Sequence, residues 1–187
     1  MAGATLPIPP ALASGGAAAF WNPAQTFGPG RAFGAIEFVQ APTEIGAAGF
    51  FATVHLRASP LGHVGVMYGR MHVTDLVRTT VSPEPVPGGI PYYTQLAGLA
   101  WARAAGRTTV GALVALHATR LDDLRARRVT VDLGVTQRLG ARLRLAAATH
   151  LFSPGGPPGA REIYGGVGYR LWGGELWEGA RHGALEA

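Results

Sequence analysis

Carboxylate and imidazole side chains are the groups in this sequence with the widest chemical use. Asp132 stands in the middle of an alternating apolar and polar stretch, and six histidines are spread along the chain. The histidines are His55, His63, His72, His117, His150 and His182. No two of them have the i, i+4 spacing of a helical metal site, and no nucleophile or second acid stands at an interpretable spacing from Asp132. We therefore predict no catalytic residue, no metal site and no cofactor.

Three other motifs point only weakly to binding or catalysis. The serines lie in Gly- or Pro-rich segments, and none stands in the G-x-S-x-G arrangement of hydrolases. The Gly-rich stretch at 165–168 lacks the Gly-Lys-Ser/Thr of a phosphate loop, so its glycines favour strand bending. Asp122 and Asp123 could bind a cation or form a solvated turn. Together these features predict that the chain is not an enzyme.

The composition is unusual for a water-soluble domain. Hydrophobic residues make up 48% of the 187 residues and charged residues 14%, against about 25% charged residues in a typical soluble domain. The formal net charge is +5, but the arginines are spread among apolar residues, so nucleic-acid binding is not expected. The absence of cysteine excludes disulfides and thiolate metal sites. No apolar run is long enough for a spanning helix, and the first 25 residues do not have the pattern of a signal peptide.

Alternation of apolar and polar residues predicts eight β-strands. The candidates are 31–40, 45–58, 62–73, 92–104, 107–120, 126–138, 141–152 and 161–172. Strands of soluble proteins average about 5–6 residues, whereas membrane-crossing strands need about 9–11. The longer candidates favour an all-β, antiparallel up-and-down transmembrane β-barrel of eight or more strands, complete or incomplete. The residues from Gly174 onward begin a ninth strand or form a tail.

The predicted strands have one aliphatic face and one face of small and polar residues. In a membrane barrel the aliphatic face contacts lipid and the polar face lines the interior. The polar residues predicted to line the interior are His55, Arg57, Asp132, Arg138, Arg142, Arg144, His150, Glu162 and Arg170. A carboxylate at mid-membrane depth needs a cation, so we expect Asp132 to have one nearby. The candidates are Arg138, Arg142 and Arg144, while the interior histidines are expected to form hydrogen bonds.

The predicted connections alternate in length. Short connections lie at 59–61, 105–106, 139–140 and 173–174, and longer ones lie at 74–91, 121–125 and 153–160. Outer-membrane barrels have this asymmetry, with tight periplasmic turns and longer external loops. Aromatic residues near strand ends, such as Tyr92, Tyr93 and Trp101, are typical of the girdles at the two membrane interfaces.

The stretch GGAAAFWNPAQ at 15–25 resembles the segment before the first strand in FadL/PorV-like outer-membrane barrels. In that family Gly-Gly-Ala is followed by an aromatic residue and Asn-Pro-Ala. The stretches VDLGV at 131–135 and YGGVGYRLW at 164–172 resemble barrel strands of the same group. The resemblance implies an irregular hatch-like segment over 1–30 and a barrel over 31–187. It also gives the candidates for the hatch and the ligand path: Phe20, Trp21, Asn22 and Pro23.

The resemblance implies an outer-membrane location and a non-enzymatic role. That role is passive transport of hydrophobic small molecules, or service as a scaffold for a surface or secretion assembly. The implied partners are the lipid bilayer, a hydrophobic small molecule and other membrane subunits. Family members have more strands than this sequence offers, and side chains just fill a closed eight-stranded barrel. Residues 1–30 are then expected outside the barrel, unless further strands widen it.

Three alternatives remain open at this level. For Asn22-Pro23, a plain capping turn is the alternative to a hatch. For the whole chain, a soluble lipocalin-like barrel that binds an apolar ligand has the same strand pattern with the two faces exchanged. A structural subunit of a larger membrane complex would explain the small number of strands. The orientation of the two faces distinguishes a membrane barrel from a soluble one. A soluble barrel would place Leu133 and Leu145 inside and Asp132 and Arg144 outside.

Overall fold

The chain folds around one antiparallel sheet in which each strand pairs with the next. The structure, a computed structural model, describes residues 10–12, 18–25, 31–41, 46–58, 60–74, 76, 89–150, 162–170 and 184–186. The strands are β1 Ala32–Gln40, β2 Ala47–Ala58, β3 Gly62–Val73, β4 Tyr92–Ala105, β5 Thr108–Leu121, β6 Leu124–Leu139, β7 Leu143–His150, β8 Glu162–Arg170 and β9 Ala184–Glu186. The prediction of an all-β, antiparallel up-and-down fold is therefore confirmed.

One connection is shorter than the sequence suggested. The loop predicted over 121–125 is a two-residue turn, with Leu121 paired to Leu124 across it, so that prediction was wrong. Asp122 has a φ of 55°, a left-handed conformation that Asp tolerates better than most residues and that tight hairpins require. As a result β5 and β6 are one long hairpin. The proposed alternation of short and long connections fails at this position.

The sheet curves strongly without closing on itself. In a flat sheet β2 and β7 would be about 24 Å apart. Phe20 nevertheless lies 6.2 Å from the ring of Phe51 on β2 and 4.6 Å from the ring of His150 on β7. Among the described residues β1 pairs only with β2, and the far end of the sheet is the pair of β8 with β9. The architecture is that of an incomplete barrel.

The aliphatic face of the sheet is exposed and the polar face is buried. Leu133 is 56% exposed, while its neighbour Asp132 is 1% exposed. On β5, Val114 is 49% exposed, while its neighbour Leu113 is 1% exposed. The predicted orientation, with aliphatic side chains outside and polar ones inside, is confirmed. The soluble lipocalin-like alternative needs the opposite orientation, so it is wrong.

The N-terminal residues cover the inner face of the sheet. They form a 3-10 turn at Pro10–Leu12, a short helix α1 at Ala18–Trp21 and a second 3-10 turn at Pro23–Gln25. Within the described residues, no helix has the length and apolar character needed to cross a membrane. Residues 1–30 were expected outside a closed eight-stranded barrel only; the sheet is open, and the described pieces of this stretch lie against its inner face. We call residues 10–12 and 18–25 the hatch segment.

Candidate functional site

Asn22 lies at the centre of the hatch segment, and its side chain is fully buried. Its Nδ2 donates a hydrogen bond to the carbonyl of Ala11 at 2.7 Å, which ties the two described pieces of the segment together. Its Oδ1 accepts a hydrogen bond from the backbone N–H of Ala24 at 2.9 Å. The second bond is the turn that Asn forms with the backbone two residues on. Asn22-Pro23 therefore forms a capping turn inside a segment that also packs on the inner face.

Two glycines of the sheet form the seat on which this turn rests. Gly111 on β5 and Gly134 on β6 lie directly opposite each other in the register. A Cβ atom at Gly134 would overlap the Asn22 side chain, and one at Gly111 would overlap the Pro23 backbone. The missing side chains allow the close backbone approach for which strand glycines are used. The seat therefore depends on both positions remaining glycine.

Further contacts extend the attachment of the hatch segment on both sides of this seat. Gln25 Nε2 donates a hydrogen bond to Thr136 Oγ1 at 3.0 Å, and Arg144 Nη2 lies 3.5 Å from the carbonyl oxygen of Leu12. Ala19 packs into an apolar cluster on the inner face of β3, β4 and β5, with Phe20 and Phe51 at its border. The other members of this cluster are Met67, Leu96, Ala100, Leu113 and Ala115. The inner face is therefore apolar where α1 covers it, and a second apolar cluster of Ala11, Leu12 and Ala146 lies under the turn Pro10–Leu12.

Two aromatic residues of the hatch segment contact rings on β7 and β8. The rings of Phe20 and Trp21 are edge-to-face with centroids 5.1 Å apart. Trp21 lies 5.0 Å from the ring of His150 and 6.2 Å from the ring of Tyr164. Tyr164 in turn donates a hydrogen bond to Glu162 at 2.5 Å. We call Phe20, Trp21, His150 and Tyr164 the aromatic cluster; it combines apolar surface with polar ring atoms.

Asp132 faces a histidine within this region. Its Oδ2 lies 3.7 Å from Nδ1 of His150, and both side chains are almost fully buried. Arg138 is six residues from Asp132 along β6, or about 20 Å, and Arg144 lies opposite Arg138. Arg142 belongs to the turn before β7. The expectation of an arginine of this hairpin as the direct partner was therefore wrong: the register brings His150 to the carboxylate.

Two other interior histidines have hydrogen-bond partners, as the sequence predicted. His55 Nε2 lies 2.5 Å from Thr53 Oγ1, and His117 Nε2 lies 2.9 Å from Thr130 Oγ1. Across the described part of the chain, no group of three His, Cys, Asp or Glu side chains is arranged to hold a metal ion. His55, His117 and His150 thus each lie beside a different hydroxyl or carboxylate group.

The remaining residues predicted to line the interior lie nearer the ends of the strands. Arg57, Arg138 and Glu162 have the inward parity but are exposed, and Arg144 is half-buried. Arg142 was placed in a strand by the sequence pattern, but it lies exposed in the turn 140–142, so that assignment was wrong. Arg170 is in β8, with its side chain outside the described part. Of the predicted interior residues whose side chains the structure describes, His55, Asp132 and His150 are buried, whereas the arginines are exposed or half-buried.

Gly111, Gly134, Gln25 and Thr136 attach the hatch segment, and none was predicted as a site residue. A usable signal existed for the glycines, since both stand at inward positions where their neighbours on the same face are larger. Gln25 and Thr136 are 111 residues apart in sequence, and no local pattern connects them. Tyr164 was recognised only as part of a barrel strand.

The outer face carries a wide aliphatic band. One register row across five strands is entirely aliphatic: Val54, Val66, Leu99, Val114 and Val131. The outward positions of β5 from Thr108 to Ala118 contain no charged residue. This run of eleven residues spans about 33 Å along the strand, or about 25 Å of thickness at a tilt of about 40°. Trp101 borders the band, and its Nε1 donates a hydrogen bond to the carbonyl of Leu61 at 2.8 Å.

No protein-family model matches the chain, and neither a curated protein nor a solved structure is found to match it. The resemblance to FadL/PorV-like proteins therefore stays a prediction from the sequence. The functional proposal rests on the chemistry of the two faces and on the hatch segment between them.

Proposed function

We propose that this chain is an integral outer-membrane β-barrel protein, without enzymatic activity, that passes hydrophobic small molecules through its interior by passive transport. The observation that carries the proposal is the arrangement of the two faces. The aliphatic face is exposed, and the face that holds Asp132 and His150 is buried under the hatch segment. A lipid bilayer is the solvent that stabilises this arrangement.

The energetics favour hydrocarbon over water around the outer face. Soluble proteins rarely expose a continuous apolar patch of more than a few hundred Å². Here a continuous row of large aliphatic side chains crosses β2 to β6, and Val54 is 50%, Val66 53% and Leu99 66% exposed. On β5 the charge-free run corresponds to about 25 Å at that tilt, the height of the apolar belt of outer-membrane barrels, while on the neighbouring strands Arg103 lies beside Val110 and Arg127 beside Ala118. Water around this surface would favour aggregation, whereas acyl chains would solvate it.

Site-directed labelling can test the membrane placement, because the chain has no cysteine. We would place a nitroxide at Val114→Cys in the aliphatic band and at Asp123→Cys in the β5–β6 turn, in protein refolded into phosphatidylcholine vesicles. Oxygen concentrates in the bilayer, while a water-soluble nickel chelate does not. We expect the Val114 label to collide mainly with oxygen and the Asp123 label mainly with the chelate. Equal access of the chelate to both labels would rule out the membrane placement.

Transport is supported by the position of the aromatic cluster. It lies where Phe20 and Trp21 of the hatch segment meet the inner side of β7 and β8, and an apolar molecule can contact the rings of Trp21 and Tyr164 there. Aromatic rings with polar atoms at the edge are suited to amphipathic ligands. An apolar molecule would follow this border when the hatch segment shifts.

The transport proposal can be tested by the entry of a fluorescent fatty acid into albumin-loaded vesicles. Lipopolysaccharide in the outer leaflet keeps the protein-free rate low. We expect faster entry with the protein, and still faster entry with Gly134→Ala, which displaces the hatch segment. Gly165→Ala is the matched control, because no atom would contact its Cβ within 4 Å. Inserted protein that leaves the rate at the protein-free value, with and without the Gly134 substitution, would exclude transport.

A second candidate function is that of a structural subunit in a larger membrane complex. The observation that favours it is the open sheet, in which β1 pairs on only one side among the described residues. Unpaired backbone groups within hydrocarbon cost several kcal/mol each, so such an edge favours pairing with another strand. Sedimentation in density-matched detergent distinguishes the candidates: a particle with one copy of the chain opposes this role, and a defined multimer supports it.

A further inference from the structure

The outer face carries a cluster of positive charge at one end of the aliphatic band. The ends of β3 and β5 and the beginnings of β4 and β6 lie at this end of the band. Their outward residues form two adjacent rows of paired positions across the four strands. One row joins Arg70, Gln95, Ala118 and Arg127, and the next joins His72, Tyr93, Arg120 and Arg125. We call the basic members of the two rows the basic rim: Arg70, His72, Arg120, Arg125 and Arg127. β3 and β6 are three strands apart, so the rim is about 14 Å wide.

Among the described residues, no acidic side chain at an outward strand position offsets this charge. The described outward-facing positions of β1 to β8 contain no Asp or Glu. The nearest carboxylates in sequence are Asp122 and Asp123, which lie beyond the rim in the β5–β6 turn, and Asp75, which lies outside the described residues. The only other arginine at an outward position of the described strands is Arg103, at the opposite end of β4. The rim is therefore a local surplus of positive charge.

Two side chains of the basic rim, Arg70 and Arg120, contact neighbouring residues. The guanidinium of Arg70 lies over the ring of Tyr93, 4.4 Å from its centre. A stacked guanidinium can still donate hydrogen bonds from its edge. Arg120 Nε donates a hydrogen bond to the carbonyl of Asp122 at 2.9 Å, which directs this side chain toward the turn. An open groove lies beside these residues, lined by Phe50, Arg70, His72, Val73, Pro91, Tyr92 and Tyr93.

The next rows of the same face are apolar. Tyr68, Ala97, Leu116 and Val129 form the row below the rim, and the all-aliphatic row follows. A molecule that fills both regions must have an anionic head and long hydrocarbon chains. Arginine clusters bind phosphate by charge-assisted hydrogen bonds, often in a bidentate manner. A soluble anion would use only the rim.

We propose that the basic rim and the aliphatic rows beside it form a binding site for a phosphate-bearing anionic membrane lipid. The headgroup phosphate is held by Arg70 and Arg127, and the acyl chains lie along the outward side chains of β4 and β5. This proposal rests on the membrane placement proposed above. The lipid site implies a preference for anionic over zwitterionic lipids, which insertion into a bilayer does not by itself require.

Spin-labelled lipids can test the proposal on the full chain in phosphatidylcholine vesicles. The immobilised fraction of labelled phosphatidylglycerol is compared with that of labelled phosphatidylcholine. An arginine near the surface contributes about a factor of five in affinity for an anionic lipid. We expect a preference for phosphatidylglycerol that falls about fivefold with Arg70→Gln and further with Arg70→Gln/Arg127→Gln. Arg103→Gln, the matched outward arginine at the other end, should keep the preference.

The outcomes separate this proposal from the membrane placement. Immobilised lipid without a headgroup preference would overturn the site and leave the placement intact. No immobilised lipid of either kind would overturn both. Binding of inorganic phosphate to the rim, together with the absence of any headgroup preference among the labelled lipids, would assign the rim to a soluble anion and reject the lipid site. An equal loss of preference in Arg103→Gln would also reject it, since general surface charge would then suffice.

Discussion

Asn22 makes two hydrogen bonds that join parts of the hatch segment, and both are out of reach of solvent. Replacement by alanine would leave the Ala11 carbonyl and the Ala24 N–H without this partner. A buried polar group that loses its partner costs about 1–3 kcal/mol. We therefore expect Asn22→Ala to release the hatch segment before the sheet unfolds, seen as a shift in Trp21 fluorescence and faster proteolysis within residues 10–25. Gln40→Ala, an exposed polar residue at the end of β1, should change neither measurement.

Asp132 gives a second prediction for a single residue. Asp132→Leu removes the carboxylate that faces His150 and should lower the free energy of unfolding in detergent by about 1–3 kcal/mol. A double-mutant cycle identifies the partner: Asp132 and His150 should show coupling, while Asp132 and Arg144 should not. Coupling to Arg144 alone would contradict the observed geometry. Asp123→Asn, in the exposed turn, is the control for loss of a carboxylate.

The same residue shows how far the sequence could lead. The inward position of Asp132 followed from the period of two along β6. A shift of the strand by one residue would turn every polar side chain of the inner face outward. Its partner did not follow, since cross-strand neighbours depend on turn length. The sequence suggested a two-residue turn at 139–140, whereas the observed turn covers Gly140–Arg142. By extension of the observed register His150 lies opposite Asp132, where a two-residue turn at 139–140 would have placed Ala147.

At the level of secondary-structure elements, the hatch segment is attached to the sheet at the glycine seat, which consists of Gly111 on β5 and Gly134 on β6. Gly134→Ala adds a methyl group that would overlap the Asn22 side chain, so either the strand or the hatch segment has to move. We expect the shorter hatch segment to move, with faster proteolysis of residues 10–25 and unchanged β-sheet circular dichroism. Gly165→Ala, in a β-strand with open space around the added methyl, should leave proteolysis unchanged. Equal proteolysis of both variants would mean that the seat does not hold the segment.

Strand positions were predictable because each strand of this chain is long and alternating. For β1 to β6 the predicted ends differ from the observed ones by at most two residues. The turn at Asp122-Asp123 was missed because Leu121 and Leu124 continue their strands, while polar residues at 122–123 and 125 suggested a loop. The apolar cluster under α1 was missed for a related reason. Met67 and Leu113 occupy the inner face, where the pattern suggested polar side chains, because the hatch segment covers them.

For the molecule as a whole, the orientation of the faces could be derived from the sequence, but the openness of the sheet could not. The alternation of apolar and polar residues determines which residues share a face of the sheet. The scarcity of charged residues on one of the two faces favours contact of that face with lipid. Closure depends on contacts between strands that are distant in sequence, about which alternation says nothing. The open curve matters for function, since it provides the room in which the hatch segment lies against Gly111 and Gly134.

A charge placed on the outer face gives the prediction that tests the whole architecture. Val114 lies in the all-aliphatic row, and an arginine at the bilayer midplane destabilises a barrel by about 2–4 kcal/mol. Ala105, at the outward end of β4, is near the interface, where the same change costs about 0–1 kcal/mol. Unfolding by guanidinium in vesicles of phosphatidylcholine should therefore separate Val114→Arg from Ala105→Arg. In water both sites would be ordinary exposed positions within about 0.5 kcal/mol of the parent, so equal stability of the two variants in vesicles would contradict a lipid-facing band.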